Sequence, residues 1–287
     1  MKEFKGKTAV ITGAAHGFGA VLALEAARRG MKLLLADIDA PALDAVAAEA
    51  RALGAEATAF AADLSLYENV HEMIARAVAT YGTVDLLINN AGIAFRGKVW
   101  AVPPTDVDWM IDINLKAMLW GMHEAMPIMM AQGTPCHIVN VSSGAGITTA
   151  RGMAAYHATK HAVVAATEST AYDLEEQGIT NIGLTLFLPG YIQTDLHHCE
   201  QRRPARYRQD MPYHRTGTWR ADQAQLEADI TGGLPIDVVV PAVFGAIEND
   251  QFYVVTHPET LKIVAVRAED MIEGRTPSIA RLRSALT

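Results

Sequence analysis

The chain has 287 residues, half of them hydrophobic and one fifth charged, which suits one large globular domain or at most two. A net charge of -8 with no long basic run argues against nucleic acid and anionic membranes as partners. Cys136 and Cys199 offer no disulfide framework, Met1 runs straight into an apolar strand without a leader, and no apolar run reaches transmembrane length, so a cytoplasmic protein is expected.

Residues 8–12 read as a short buried strand, followed by Gly13-Ala-Ala-His-Gly17-Phe-Gly19 and a helical pattern with Phe18, Val21, Leu22 and Ala26 on one face. A second strand spans 33–37, an Ala-rich helix 41–53, a third strand 57–61 with Asp63 just beyond it, and a helix 68–80. The alternation continues with a strand at 84–89, a mostly helical stretch 106–130 in which Pro127 predicts a kink, a strand at 137–141, a helix over 155–177 and a strand at 182–187. Residues 191–235 read as irregular, 237–249 as helix, 252–255 as the last strand, and the tail carries two further helical patterns. Strands that are apolar throughout and alternate with helices imply a parallel sheet covered on both faces. The expected fold is α/β: one Rossmann-type, doubly wound domain over 1–256 with seven parallel strands, and a tail over 257–287 that packs on it or on a neighbouring subunit.

The first strand-turn-helix holds Thr12-Gly-x-x-x-Gly-x-Gly19. Glycines let the backbone approach a pyrophosphate, and a helix N-terminus offers it free N–H groups. Asp37 ends the second strand, where a carboxylate bonds the adenosine ribose hydroxyls and repels a 2′-phosphate, so NAD is expected over NADP. His16 is a complication, because a basic group in this loop assists a 2′-phosphate.

Tyr156 and Lys160 lie four residues apart at the start of a long helix and so share one face. The expectation is that the Lys160 ammonium lowers the phenol from its ordinary pKa of about 10, making Tyr156 a usable base. Taken in order, the Thr12–Gly19 turn, Asn89-Asn-Ala-Gly92, Asn114, Ser143 with Tyr156 and Lys160, and Pro189-Gly190 with Thr194 resemble the short-chain dehydrogenase/reductases of compact, single-domain type. The resemblance covers about residues 5 to 255.

What it implies is carried residue by residue. Gly13, Gly17 and Gly19, with His16 and Phe18, would line the cofactor pyrophosphate, while Asp63 and Leu64 would hold the adenine. Asn90, Ala91 and Gly92 would approach the cofactor ribose. Pro189, Gly190, Ile192 and Thr194 would orient the nicotinamide. Ser143, rather than Ser142, would hold the substrate oxygen while Tyr156 acts as general base. Lys160 would also bond the nicotinamide ribose, and Asn114 would hold a water in a proton relay. The bland reading of Ser142 is a strand-end hydroxyl bonding backbone.

The implied activity is NAD-dependent interconversion of a secondary alcohol and a ketone on a bulky or aromatic small molecule. Phe95, Ala145, Met153 and Tyr191 are candidate pocket residues, as are Trp100, Tyr207, Met211, Tyr213 and Trp219. Arg202, Arg203, Arg206, Arg208 and Arg215 would bind a substrate carboxylate or phosphate, or form a solvated loop surface. His197-His198-Cys199 lacks metal-site spacing, so no metal is expected. His157 and His161 are expected to point away from the catalytic pair into core or solvent. The long helices imply homodimers or homotetramers. Two other readings share the fold: a cofactor-sensing binder without chemistry, and an epimerase or dehydratase that oxidises its substrate transiently.

Overall fold

A computed structural model describes residues 1–284. Seven parallel strands form one sheet in the order β3-β2-β1-β4-β5-β6-β7. They are β1 (Thr8–Thr12), β2 (Lys32–Asp37), β3 (Ala57–Ala61), β4 (Leu86–Asn89), β5 (Cys136–Val141), β6 (Ile182–Leu188) and β7 (Tyr253–Val255). The helices between them are α1 (Gly17–Arg28), α2 (Ala40–Ala52), α3 (Tyr67–Tyr81), α4 (Pro104–Ile111), α5 (Ala117–Gln132), α6 (Ala154–Glu176), α7 (Gly217–Thr231) and α8 (Val239–Asn249). Two more, α9 (Thr260–Ile272) and α10 (Ile279–Ser284), follow β7.

Both faces of the sheet are covered, which is why β1, β4 and β5 have no polar-out alternation. On one face α1, α2 and α8 pack Leu22, Leu43 and Phe244 onto Ile11, Leu35 and Phe187. On the other, α3, α5 and α6 pack Met73, Met122 and Val163 onto Val10, Leu87 and Ile138. Strand order reverses between β1 and β4, so the crevice for a ligand opens at their carboxyl ends.

Two expectations change. The stretch 106–130 is interrupted not at Pro127, which lies inside α5, but at a π-helical turn, Asp112–Lys116. One extra residue per turn there sends the Asn114 side chain out of the helix toward Ile93. The stretch 191–235 is not irregular either. It holds three short 3-10 turns and then α7, capped by Thr216 Oγ1, which accepts from the Trp219 N–H at 3.1 Å. Only Trp219, Leu226 and Ile230 of α7 are buried, too sparse a stripe for periodicity to register.

His137 on β5 has no exposed surface, and its Nε2 sits 2.8 Å from Thr185 Oγ1. Burial lowers its pKa from 6.5 to about 3. The unfolded chain therefore binds this proton more tightly, so His137 adds stability fully present above about pH 6.5 and lost as pH falls toward 3. The term is worth up to about 5 kcal/mol. Urea midpoints should fall through that window, and a His137→Gln variant should show a flatter acid limb.

Candidate active site

The glycine turn is built by conformation and by close approach. Gly13 has φ +64° and Gly17 φ +49°, left-handed values that disfavour side chains. A Cβ on Gly19 would lie 2.0 Å from the Gly13 carbonyl oxygen. Gly19 thus closes the turn from beneath, and only Gly13, His16, Gly17 and Phe18 of this segment face the cavity. Helix α1 starts with no capping side chain and no acidic residue in its first turn, so its N–H groups remain available to an anion. Asn90 Nδ2 braces the turn, donating to the carbonyls of Thr12 at 2.9 Å and Gly13 at 3.1 Å.

From there a cavity of about 510 Å³ follows the carboxyl edge of the sheet. Asp37, Asp63 and Leu64 stand at one end; Asn90, Ala91, Gly92, Pro189, Gly190, Ile192 and Thr194 line its middle. Asp37 is held in place: Oδ2 accepts from the Ala15 N–H and Oδ1 from the Asp39 N–H, both at 3.0 Å. His16 reaches Asp39 at 2.8 Å and Asp195 at 3.4 Å, and Arg202 Nη1 donates to Asp195 at 2.8 Å. This network ties the adenosine end of the crevice to the segment after β6. A dinucleotide fits this channel: an open turn, free helix N–H groups and a fixed carboxylate at the far end.

The other end of the cavity gathers Ser143, Tyr156 and Lys160. Ser143 follows β5 and lines the cavity beside the Tyr156 phenol. Its Oγ accepts from the Ala145 N–H at 3.1 Å and donates to the Pro189 carbonyl at 3.3 Å. Ser142 Oγ instead donates to the Lys160 carbonyl at 2.9 Å and is 2 % exposed, a structural role. Lys160 Nζ donates to the Val141 carbonyl at 3.0 Å and lies 5.8 Å from the centre of the Tyr156 ring. Asn114 Oδ1 accepts from the Ile93 N–H at 2.8 Å, and Nδ2 donates to the Ile93 carbonyl at 2.9 Å and to Thr159 Oγ1 at 3.2 Å. Those bonds fix the loop after β4 against α6.

The electrostatics depart from expectation. Burial pushes Tyr156 up to about 12, partly countered by the Ser143 hydrogen bond, and pushes Lys160 down to about 8. Each charged form has lost its water, and that loss outweighs the attraction between ammonium and phenolate. In the protein alone the phenol keeps its proton at neutral pH.

Beyond Ser143 and Tyr156 the walls are mostly apolar, with Thr148, Thr149 and Glu259 among them. Ala145, Met153, Tyr191, Trp109, Leu226 and Ile263 line them, and sequence reasoning passed over the last three. Ile263 comes from α9, which folds back over the cavity with Thr260. Phe95 is a correction: it packs behind the wall, 5.4 Å from Trp109 and 5.9 Å from Trp219 between ring centres. Tyr207, Met211, Tyr213 and Trp219 do not face the cavity either, and Trp100 stands 80 % exposed.

The loop arginines are used internally. Arg203 Nη1 lies 2.8 Å from the fully buried Asp106, which also meets His214 at 2.7 Å. Arg206 reaches Asp63 and Asp112, and Arg215 pairs with Asp210. Glu200, Asp106 and His214 bring ligand atoms within 4.8 Å of one another, but the Arg203 guanidinium already bonds both carboxylates. The Cys199 thiol, between those arginines and the cavity, donates to the Ala94 carbonyl at 3.5 Å and is pushed up to about 12 by burial.

These features match known proteins. The family model described as short chain dehydrogenase matches residues 7–204. A CLA biosynthesis dehydrogenase/reductase of Lactiplantibacillus plantarum is 42% identical over 97% of this chain and 98% of its own length. The crystal structure of a short chain dehydrogenase/reductase from Burkholderia phymatum in complex with NAD superposes with TM-score 0.93 at 37% identity, covering 97% of this chain and 98% of that one. A metagenomic short-chain oxidoreductase in complex with NADP gives TM-score 0.61 at 33% identity, covering 65% of this chain and 83% of that one. Family model, fold and the order of the motifs agree: the chain belongs to the short chain dehydrogenase family.

Proposed function

We propose that the chain is an NAD-dependent oxidoreductase that interconverts a secondary alcohol and a ketone on a bulky, apolar small molecule. The observation that carries this reading is the meeting of Ser143, Tyr156 and Lys160 in the same channel that Asp37 lines. When bound, the dinucleotide supplies the hydride chemistry and a positive ring. Tyr156, protonated at neutral pH, donates its proton to a ketone oxygen and recovers one from an alcohol in the reverse direction. Ser143 bonds the same oxygen and stabilises the charge that develops on it. Lys160 delivers positive charge from beneath the phenol and offers a donor to the nicotinamide ribose. Asn114 holds the loop at Ile93, from where it would place a water for a proton relay.

Asp37 supports NAD. Two further carboxylates stand near it, Asp39 and Asp195, against the guanidinium of Arg202, while His16 is spent on both of them. A 2′-phosphate placed there meets excess negative charge. Asp37→Asn keeps an acceptor for the backbone while removing that charge, and should lower the NAD over NADP preference in kcat/KM by about 100-fold. An unchanged preference would reject this assignment. The largely apolar walls suit lipophilic substrates.

Exposed Leu119 and Met130 of α5 and Tyr172 of α6 support pairing of copies as a homodimer or homotetramer. No helix among the described residues is long and apolar enough to cross a membrane, and we place the protein in the cytoplasm. The direct test is reduced-nicotinamide formation with a panel of apolar secondary alcohols, and its consumption with the matching ketones. Cofactor binding without turnover would favour a sensing role instead.

A further inference from the structure

The turn between β5 and α6 is gripped by a side chain that no step above uses. His157 is 7 % exposed, and both ring nitrogens are engaged. Nδ1 meets the Ala145 carbonyl at 2.8 Å, and the Ala150 N–H points at Nε2 from 3.0 Å. A carbonyl only accepts and an amide only donates, so a single arrangement satisfies both: hydrogen on Nδ1, a bare lone pair on Nε2. The two residues it grips, Ala145 and Ala150, line the cavity, and the Ala145 N–H is the one that bonds Ser143 Oγ. From the far side of the turn, Arg267 of α9 donates to the Ile147 carbonyl at 3.4 Å.

We propose that His157 is a positioning residue: its neutral ring clips the substrate-facing turn 145–150 to the catalytic helix and so sets the Ser143 hydroxyl against Tyr156. The proposal rests on the dehydrogenase reading above. A proton added at Nε2 converts the acceptor into a second donor aimed at the Ala150 N–H, and the clip opens. The groups facing the ring are Arg267 from α9, His161 one turn along α6, and the uncharged Tyr156 ring edge-on at 6.5 Å between centres. Burial, His161 and Arg267 all disfavour the imidazolium, while the carbonyls of Ala145 and Thr148 favour it; the balance holds the pKa below 6.5. The clip is therefore closed at neutral pH and opens only in acid.

The test compares wild type, His157→Gln and His157→Leu. The amide oxygen of Gln can take the Ala150 N–H, and it does not titrate. For a ketone that wild type reduces, a direction in which the protonated Tyr156 adds no acid limb of its own, kcat/KM is measured from about pH 5 to 9, and exchange of the Ala150 amide is measured by NMR at neutral pH. Wild type should show an acid limb that His157→Gln lacks, with His157→Gln within about threefold of wild type at neutral pH. His157→Leu should fall at least tenfold at every pH, since it leaves both the Ala150 N–H and the Ala145 carbonyl without the ring that joins them. The Ala150 amide should be protected in wild type and His157→Gln and exchange at least tenfold faster in His157→Leu.

An acid limb that survives intact in His157→Gln, or full activity in His157→Leu, overturns the positioning role. Should His157→Leu fail to fold, the pH profile of His157→Gln decides alone. Protection of Ala150 in a protein that turns over no alcohol or ketone overturns the dehydrogenase reading while supporting the clip. An unprotected Ala150 in wild type overturns the clip whatever the activity.

Discussion

Tyr156→Phe is expected to lower turnover by about three to four orders of magnitude in both directions, with NAD affinity within about threefold of wild type. The ring stays, so the packing against Met153 and the neighbouring His157 stays with it, and what is lost is the transferable proton and the donor facing Ser143. Direction matters here. With the phenol pushed up to about 12, the protein alone holds Tyr156 ready to give a proton, the form that ketone reduction requires. Alcohol oxidation requires the phenolate, so its rate should climb with pH through the neutral and alkaline range, while ketone reduction should fall off as the phenol ionises. Measuring both directions across pH checks the assignment. A Phe variant that keeps a tenth of the activity would remove Tyr156 from the chemistry.

Lys160→Met should abolish turnover nearly as completely, by at least two orders of magnitude, and yet leave the protein as stable as wild type or more so. Lys160 is 5 % exposed, its pKa is lowered from 10.5 to about 8 by burial, and no carboxylate offsets its charge. The unfolded chain holds that proton more tightly than the folded one. At neutral pH the ammonium therefore costs the fold roughly 3 kcal/mol, a loss recovered only as pH rises from 8 through 10.5. A Met fills similar volume without charge, although it leaves the Val141 carbonyl without its donor, a loss of about 1–3 kcal/mol. Urea unfolding at neutral pH should give a variant equal to wild type or up to about 2 kcal/mol more stable, and wild type should catch up as pH is raised past 8. A variant several kcal/mol weaker would mean that Lys160 is a structural residue. The expected pattern, activity lost while stability is kept, is that of a group retained for chemistry at the fold's expense.

Much of this was readable from the chain because it depends on local pattern. Strands such as Leu33–Ala36, apolar at every position, can lie only between two covering layers. The glycine turn, Ser143, Tyr156 and Lys160 sit at strand ends and a helix start, where short motifs keep their spacing, and they converge as expected on one crevice. What could not be read depends on distant partners. The arginines after residue 200 look like a basic surface in sequence, yet Arg203 finds Asp106 and Arg206 finds Asp112 some ninety residues away. Phe95 is a plausible pocket aromatic until Trp109 and Trp219 claim both sides of it. The Tyr156 phenol is pushed up rather than down in the protein alone for a related reason: spacing shows that a lysine is near, but not that both groups are sealed from water. His157 looked like filler because its partners are main-chain atoms, which no residue code announces.

The order in which the walls of the cavity occur along the chain has a consequence for synthesis. The glycine turn, the Ser143–Tyr156–Lys160 group and Thr194 all precede residue 200, whereas the remaining lining, from Leu226 and Ile230 to Thr260 and Ile263, emerges later. A nascent polypeptide thus completes its reactive centre before it completes the surfaces that decide which molecule may enter. Substitutions confined to Thr260 and Ile263 would reshape that later wall while keeping Arg267 on the Ile147 carbonyl and the Ser143–Tyr156–Lys160 group in place.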